Sequence, residues 1–361
     1  MKRRDFLKTS MAVSACTAIP AAMSKALAEA DGGMWRVFEV TTRVEVLKPA
    51  GETRVWLPTP LTVDTPYQKP LGNAWTAEGG SAAFATDPKY GAGIVAAEWA
   101  AERKPVLVLT SRFATRDVAV DLSAPGRAAA ESPDVLKKFL DPTTLLPTDG
   151  IVRDTALEIT KGAKDDAEKA RAIYDWIVDN TFRDPKTRGC GVGDIKFMLE
   201  TKNLGGKCAD LNALFVGLAR AAGVPARDVY GIRVADSALG YKSLGKSGEI
   251  TKAQHCRAEY YVAGHGWVPA DPADVRKVVL EEGGGKKIDD PMVVAARKRL
   301  INSWEMNWLA YNYAHDLALP KAGRGKIGFF MYPQCETAEG RLDSLDPDNF
   351  KYQIVSKEIG V

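Results

Sequence analysis

The stretch GGKCADLNALFVGLARAAGVPAR, residues 205–227, constrains this chain more than any other. A long apolar helix spans about Cys208 to Ala222 and is stopped by Gly223-Val224-Pro225. A structural cysteine can sit anywhere on a buried face. This one stands where the helix opens, behind two glycines. A helix N-terminus carries unsatisfied N–H groups and a partial positive charge, which favour a thiolate over a thiol. Gly205 and Gly206 are expected to leave room for another backbone or a substrate to approach the sulfur. The same N–H groups are expected to cradle the oxyanion of an acyl-transfer intermediate.

The pattern around this helix changes along the chain. From Trp35 to Leu122, short β-type runs are separated by turn residues: WRVFEVTTRVEVL, ETRVWLP, GIVAAEWA, PVLVLTSRFAT and DVAVDL. Val40, Thr42, Val44 and Val46 alternate with Thr41, Arg43 and Glu45, the period of a half-buried strand. Residues 34–123 therefore read as a β-rich, sandwich-like domain without identifiable chemistry. Residues 124–150 read as a connector with one short helix from Pro133 to Leu140. Helices are expected over Ile151 to Lys161, closed by Gly162, from Asp165-Asp166 onward, and around Asp194 to Lys202. After Arg227 the pattern returns to strands in RDVYGIRV, HCRAEYYVA and GWVPAD, with more in the tail. Gly283-Gly284-Gly285 marks a surface loop. The fold class is α+β, with residues 151–361 forming one catalytic unit and a C-terminal β extension.

The first 28 residues read as an export signal. A basic start with Arg3-Arg4, then Phe6-Leu7, a modest apolar run and Ala26-Leu27-Ala28 resemble a twin-arginine signal with its cleavage site. Val13-Ser14-Ala15-Cys16 has the look of a lipoprotein box, but the apolar run before it is very short, so lipid anchoring is not expected. Beyond the signal no apolar run approaches the ~20 residues of a membrane span. The expected location is the periplasm. Loss of residues 1–28 removes five basic residues and one acid, turning the formal charge of +3 into −1. Nothing in that balance calls for nucleic acid or an anionic membrane as partner. Four cysteines remain, Cys190, Cys208, Cys256 and Cys335, too scattered for a disulfide scaffold.

A nucleophilic cysteine needs a base, and the chain has three histidines. His255 opens a strand-like run and Asp271 ends the next, 16 residues later. A hairpin centred on Ala263 makes the two residues direct cross-strand neighbours. A tight turn at Gly264-His265 instead sets Asp271 against Ala258. Spacing alone leaves the register open.

Both stretches resemble motifs of the transglutaminase-like superfamily, which has a papain-like fold. GGKCADLNALFVGLARAAGVPAR is similar to its cysteine motif: glycine, any residue, cysteine, a helix, then Gly-Ile/Val-Pro-Ala-Arg. HCRAEYYVAGHGWVPADP is similar to its histidine motif, ending in Gly-Trp-Val-Pro-x-Asp-Pro. RVWLPTP and YNYAHDLALP…MYPQCET look like the exported bacterial branch. The resemblance implies a cysteine helix packed on an antiparallel sheet, with Cys208 as nucleophile, His255 as general base and Asp271 as orienting carboxylate. It implies thiol-dependent amide-bond chemistry, as a peptidase or amidase or as a transamidase. The substrates it implies are peptides or proteins, peptidoglycan-related material included, and no cofactor is expected. Lys207 stands where the family has a small or aromatic residue, and Cys256-Arg257 where it often has Ala-Trp.

The remaining candidates read as structural. His265, between two glycines, is a turn residue, and His315 is a packing residue. Arg227 and Trp267 serve the fold. Zinc is not expected: there is no C-x₂-C or H-x₃-H pair, and adjacent His255 and Cys256 point to opposite faces of a strand. Besides the enzyme, a non-catalytic peptide- or protein-binding module that keeps the fold is the second class.

Overall fold

The computed structural model describes residues 34–360; residues 1–28, read above as an export signal, and Cys16 within them lie outside the described residues. The strand-like runs become β1 (Arg36–Val46), β2 (Thr53–Pro58), β5 (Gly93–Trp99) and β6 (Val106–Thr115), with β3 (Gln68–Glu78) and β4 (Ser81–Thr86) between them. Val40, Thr42, Val44 and Val46 are buried and Arg43 is exposed, as alternation demands. Strands β3 and β4 are additions to the sequence reading. Most of β3 is only half-buried, so it carries no apolar alternation to read. Of DVAVDL only Val118–Ala119 is strand, paired with Ser303–Trp304.

The helices are α1 (Pro133–Lys138), α2 (Gly150–Ile159), α3 (Asp166–Asn180), α4 (Ile195–Thr201), α5 (Cys208–Ala221), α6 (Pro272–Glu281) and α7 (Pro291–Arg299). Asp165 caps α3 by accepting the Glu168 N–H at 2.8 Å, and Asp194 caps α4 by accepting the Phe197 N–H at 3.0 Å. Helices α6 and α7 were not read from the sequence. The signal for α6 was present, since Asp271-Pro272 is an N-cap followed by proline at the first helical position.

Four antiparallel strands form the central sheet: β7 (Ala226–Arg233), β8 (Gln254–Val262), β9 (Gly266–Ala270) and β10 (Trp308–Asn312), in the order β9-β8-β7-β10. Helix α5 lies against this sheet with α2, α3, α4 and α6 around it, and every residue from Cys208 to Arg220 is buried. A helix buried on every face belongs in the middle of a core.

Strands β11 (Gln334–Thr337) and β12 (Phe350–Gly360) return to the N-terminal region. Strand β12 pairs with β1 in one five-stranded sheet and β11 with β2 in the other. Val44, Leu107 and Phe350 from the first sheet meet Val55, Val95 and Cys335 from the second in one core. Both sheets of this sandwich therefore contain C-terminal strands.

Gly231, in the middle of β7, pairs with His255 of β8. A Cβ here would run into the Leu309 carbonyl oxygen and the Trp308 ring. The glycine lets the Trp308 indole cross the strand, where its Nε1 donates to the His255 carbonyl at 2.8 Å. Gly231→Ala is expected to lower stability by roughly 3 kcal/mol, since the clash is with backbone. Urea unfolding followed by circular dichroism measures it, and a loss below ~0.5 kcal/mol contradicts the close approach.

Candidate active site

Helix α5 starts at Lys207, whose extended backbone is the N-cap. The Lys207 carbonyl accepts the N–H groups of Asp210 at 3.1 Å and Leu211 at 3.0 Å. Asp210 reaches back with one carboxylate oxygen to the Lys207 N–H at 2.9 Å. Its other oxygen accepts the N–H groups of Val192 and Gly193, each at 2.9 Å. This carboxylate ties the 190–193 loop to the start of the helix. Gly206 and Gly191 are there for it, because a Cβ on either would collide with Asp210. A Cβ on Gly205 would strike the Phe182 ring. The two glycines before the cysteine therefore admit neighbouring side chains, and the expectation of space for a substrate is corrected.

The helix N-terminus is also less open than the sequence implies. The Ala209 N–H donates to the Cys190 carbonyl at 2.9 Å. The Cys208 N–H has no acceptor among the described residues and is the donor left free beside the sulfur. The bond from Ala209 brings Cys190 against the nucleophile candidate. The Cys190 and Cys256 sulfurs and the His255 imidazole neighbour the Cys208 sulfur, while the Cys190 thiol donates to the Gln254 carbonyl at 3.3 Å. Together they hold Cys208 well below the ordinary thiol range, against the opposing effect of burial. The two neighbouring thiols move the other way. Cys190 is pushed well up by Cys208 beside it and by burial, and Cys256 by burial and by Cys208.

His255 Nε2 lies 2.7 Å from Asp271 Oδ2 and 3.4 Å from Asp274 Oδ1, with all three residues buried. Nδ1 is thus the ring nitrogen left for the thiol. Burial and the Arg233 charge press the imidazolium down, but Asp274 and Asp271 outweigh them and His255 is raised above its usual value. Asp271 itself is raised by burial and by Asp274. Asp274 is likewise buried, yet Arg233, whose Nη2 lies 2.6 and 2.8 Å from its two oxygens, holds it well below the carboxylate range.

Neither register expected for the hairpin is the one observed. Val262 pairs with Gly266 and Ala258 with Ala270, so the turn centres on Gly264 and the position across from Asp271 is that of Arg257. His255 is two residues further along the same face, and the imidazole reaches Asp271 on the diagonal. Arg257 takes the direct position, its Nε 3.6 Å from Asp271 Oδ2 and its guanidinium over the Trp308 ring at 4.8 Å. The residue that departs from the family pattern thus packs beside the carboxylate. Asn212, one helical turn after Cys208, donates to Asp271 Oδ1 at 3.1 Å and to the Cys256 carbonyl at 2.8 Å. Asp274, Arg233 and Asn212 escaped the sequence reading. Asn212 had a signal, since it is a polar residue at i+4 on an otherwise apolar helix.

The other histidines stand apart. His265 Nε2 is 3.0 Å from the Ala124 carbonyl in an exposed turn, and His315 is buried against Asp228 at 3.0 Å and the Tyr230 hydroxyl at 3.3 Å. His255, Asp271 and Asp274 have donor atoms within 4.8 Å of one another, a spacing a metal ion can use. Here Arg233 and Arg257 already supply positive charge to the two carboxylates, so these residues are a poor fit to a further cation. Cys208 and His255 line a cleft of 710 Å³ whose walls include Ile250, Leu345, Tyr332 and Tyr352.

Comparison with known proteins gives the family. The model of the transglutaminase-like superfamily matches residues 153–272, which contain Cys208, His255 and Asp271. An uncharacterized protein of Haemophilus influenzae is 36% identical over 343 residues, covering 90% of this chain and 92% of that one. Among solved structures, a candidate cysteine protease from Cytophaga hutchinsonii has the same fold, with a TM-score of 0.50 at 17% identity, over 90% of this chain and 98% of that one. The periplasmic domain of TgpA from Pseudomonas aeruginosa matches with a TM-score of 0.35 at 16% identity, over 68% of this chain and 91% of that one. With its cysteine helix, its histidine strand and the order of the two motifs, the chain belongs to the transglutaminase-like superfamily.

Proposed function

We propose that the protein is an exported cysteine enzyme that cleaves amide bonds of peptides or proteins in the periplasm, with Cys208 as nucleophile, His255 as general acid and base, and Asp271 as orienting carboxylate. The observation that carries this reading is a cysteine at a helix start that shares one cleft with a histidine bonded to Asp271 at 2.7 Å. In the resting pair the proton sits on His255. The Cys208 thiolate adds to the carbonyl carbon, and the carbonyl π electrons move to oxygen, where the Cys208 N–H meets the developing charge. Collapse of this intermediate breaks the C–N bond, and the imidazolium gives its proton to the departing amine. The thioester is then cleaved by water, whose proton His255 takes; a second amine entering instead gives transamidation. Asp271 keeps the ring oriented and supports its charge.

Two measurements test the reading. The reactive form needs Cys208 deprotonated and His255 protonated. Cys208 is lowered, so activity is lost as pH falls through a value below the ordinary thiol range of about 8.5. His255 is raised, so activity is lost as pH rises through a value above about 6.5. A bell-shaped profile of kcat/KM is expected, with iodoacetamide labelling Cys208 ahead of Cys190, Cys256 and Cys335. A single limb rising near 8.5 contradicts the ion pair.

His255→Ala is expected to lower kcat/KM by roughly 10³–10⁴-fold with the fold intact by circular dichroism. Asp271→Asn is expected to cost less, about 10–100-fold, because Asp274 still faces the ring and the proton has already moved; in a serine triad the same change costs ~10⁴. Intact-mass detection of an acyl-enzyme in wild type and its absence in Cys208→Ala separates the enzyme from a binding module. If His315→Ala proved the lethal change, the triad would be misassigned.

A further inference from the structure

The cleft carries more positive charge than its chemistry uses. Among the described residues Arg183, Arg188, Lys207, Lys246, Lys252 and Lys277 line it, against one lining carboxylate, Glu249. Arg183 and Lys277 share Glu281, at 2.5 and 3.7 Å, and Arg188 meets Asp343 at 2.6 Å. Lys207, Lys246 and Lys252 make no ion pair within 4 Å among the described residues. With those three carboxylates counted, an excess of three positive charges remains around a nucleophile, in a mature chain whose formal charge is −1. The cations also crowd one another: burial, Arg233 and Arg183 all push the Lys277 ammonium down, Asp274 and Glu281 notwithstanding. Arg233 is already spent on Asp274.

A concave site lined by one sign of charge concentrates ligands of the other sign. The ammonium of Lys207 belongs to the residue directly before the nucleophile, and Lys246 and Lys252 come from the segment leading into His255. The cations therefore come from the segments of both the nucleophile and the histidine, while Ile250, Tyr332 and Tyr352 offer an apolar wall. Resting on the amide-bond reading above, we propose that the substrate is an acidic peptide, with free carboxylates close to the amide that Cys208 attacks. Lys207, Lys246 and Lys252 are its specificity residues.

The test uses the full mature chain carrying Cys208→Ala, so that binding is read without turnover. A fluorescent heptapeptide with two glutamates around the central amide is titrated beside the same peptide with glutamines. The acidic peptide is expected to bind at least tenfold more tightly at 50 mM salt, with the gap narrowing at 300 mM as screening grows. Adding Lys246→Gln and Lys252→Gln should remove most of that preference, leaving glutamine-peptide binding and the circular dichroism spectrum in place. Equal affinity for the two peptides, or a preference that survives loss of both lysines, overturns the proposal. An acyl-enzyme formed by wild type equally on both peptides also overturns it, while leaving the catalytic reading intact. Preferential binding of the acidic peptide without any acyl-enzyme supports the cleft assignment and sinks the catalytic one.

Discussion

The carboxylate of Asp271 holds the site together. One oxygen caps helix α6 by accepting the Asp274 N–H at 3.1 Å and takes the Asn212 amide from the cysteine helix, also at 3.1 Å. The other oxygen takes His255 at 2.7 Å. Three elements, α5, α6 and β8, are thereby pinned to one fully buried group. Capping a helix and orienting an imidazole are usually separate tasks. Here a single side chain does both, so any shift of α6 moves the histidine.

Burying so much charge is tolerable only because it alternates in sign. Asp271 lies between His255 and Arg257, and Asp274 between His255 and Arg233. Removing one partner from such a set leaves an uncompensated charge in the interior, which typically costs 3–5 kcal/mol. The arrangement also keeps the two carboxylates apart in character. Arg233 holds Asp274 ionised, while burial and the neighbouring Asp274 raise Asp271, the one bonded closely to the ring. The aromatic floor under Arg257, Trp304 and Trp308, links this charge set to the sheet, and Trp308 fixes the His255 backbone as well.

The β-rich region is not a bystander to this site. Strand β12 pairs with β1, and Phe350 and Tyr352 from it line the cleft together with Cys208 and His255. The short strand Gly248–Glu249 pairs with β12 on its other edge, which sets the segment carrying Lys246 and Lys252 at the cleft mouth. A chain that leaves the sandwich, builds the core and returns thus makes one wall of the cleft from its last strand.

The sequence by itself determined the elements whose signals are local. The cysteine helix with its glycine–proline stop, the strands of the histidine motif and the identity of the two motifs follow from periodicity, turn residues and a run of matching positions. The α+β class was legible in the same way. What only the tertiary structure decided depends on contacts between residues far apart in sequence. Hairpin register is one case, because a turn centred on Gly264 differs from one centred on Ala263 by nothing that composition shows. The use of Gly205 and Gly206 by Phe182 and Asp210 is another, because a glycine announces a close approach without naming what approaches. Asp274, Arg233 and Asn212 gain their meaning only when α5, α6 and β7 converge, and the cationic cleft exists only because distant lysines and arginines arrive on one concave surface. Local physics writes the elements into the sequence; charge pairing and register are properties of the packed chain.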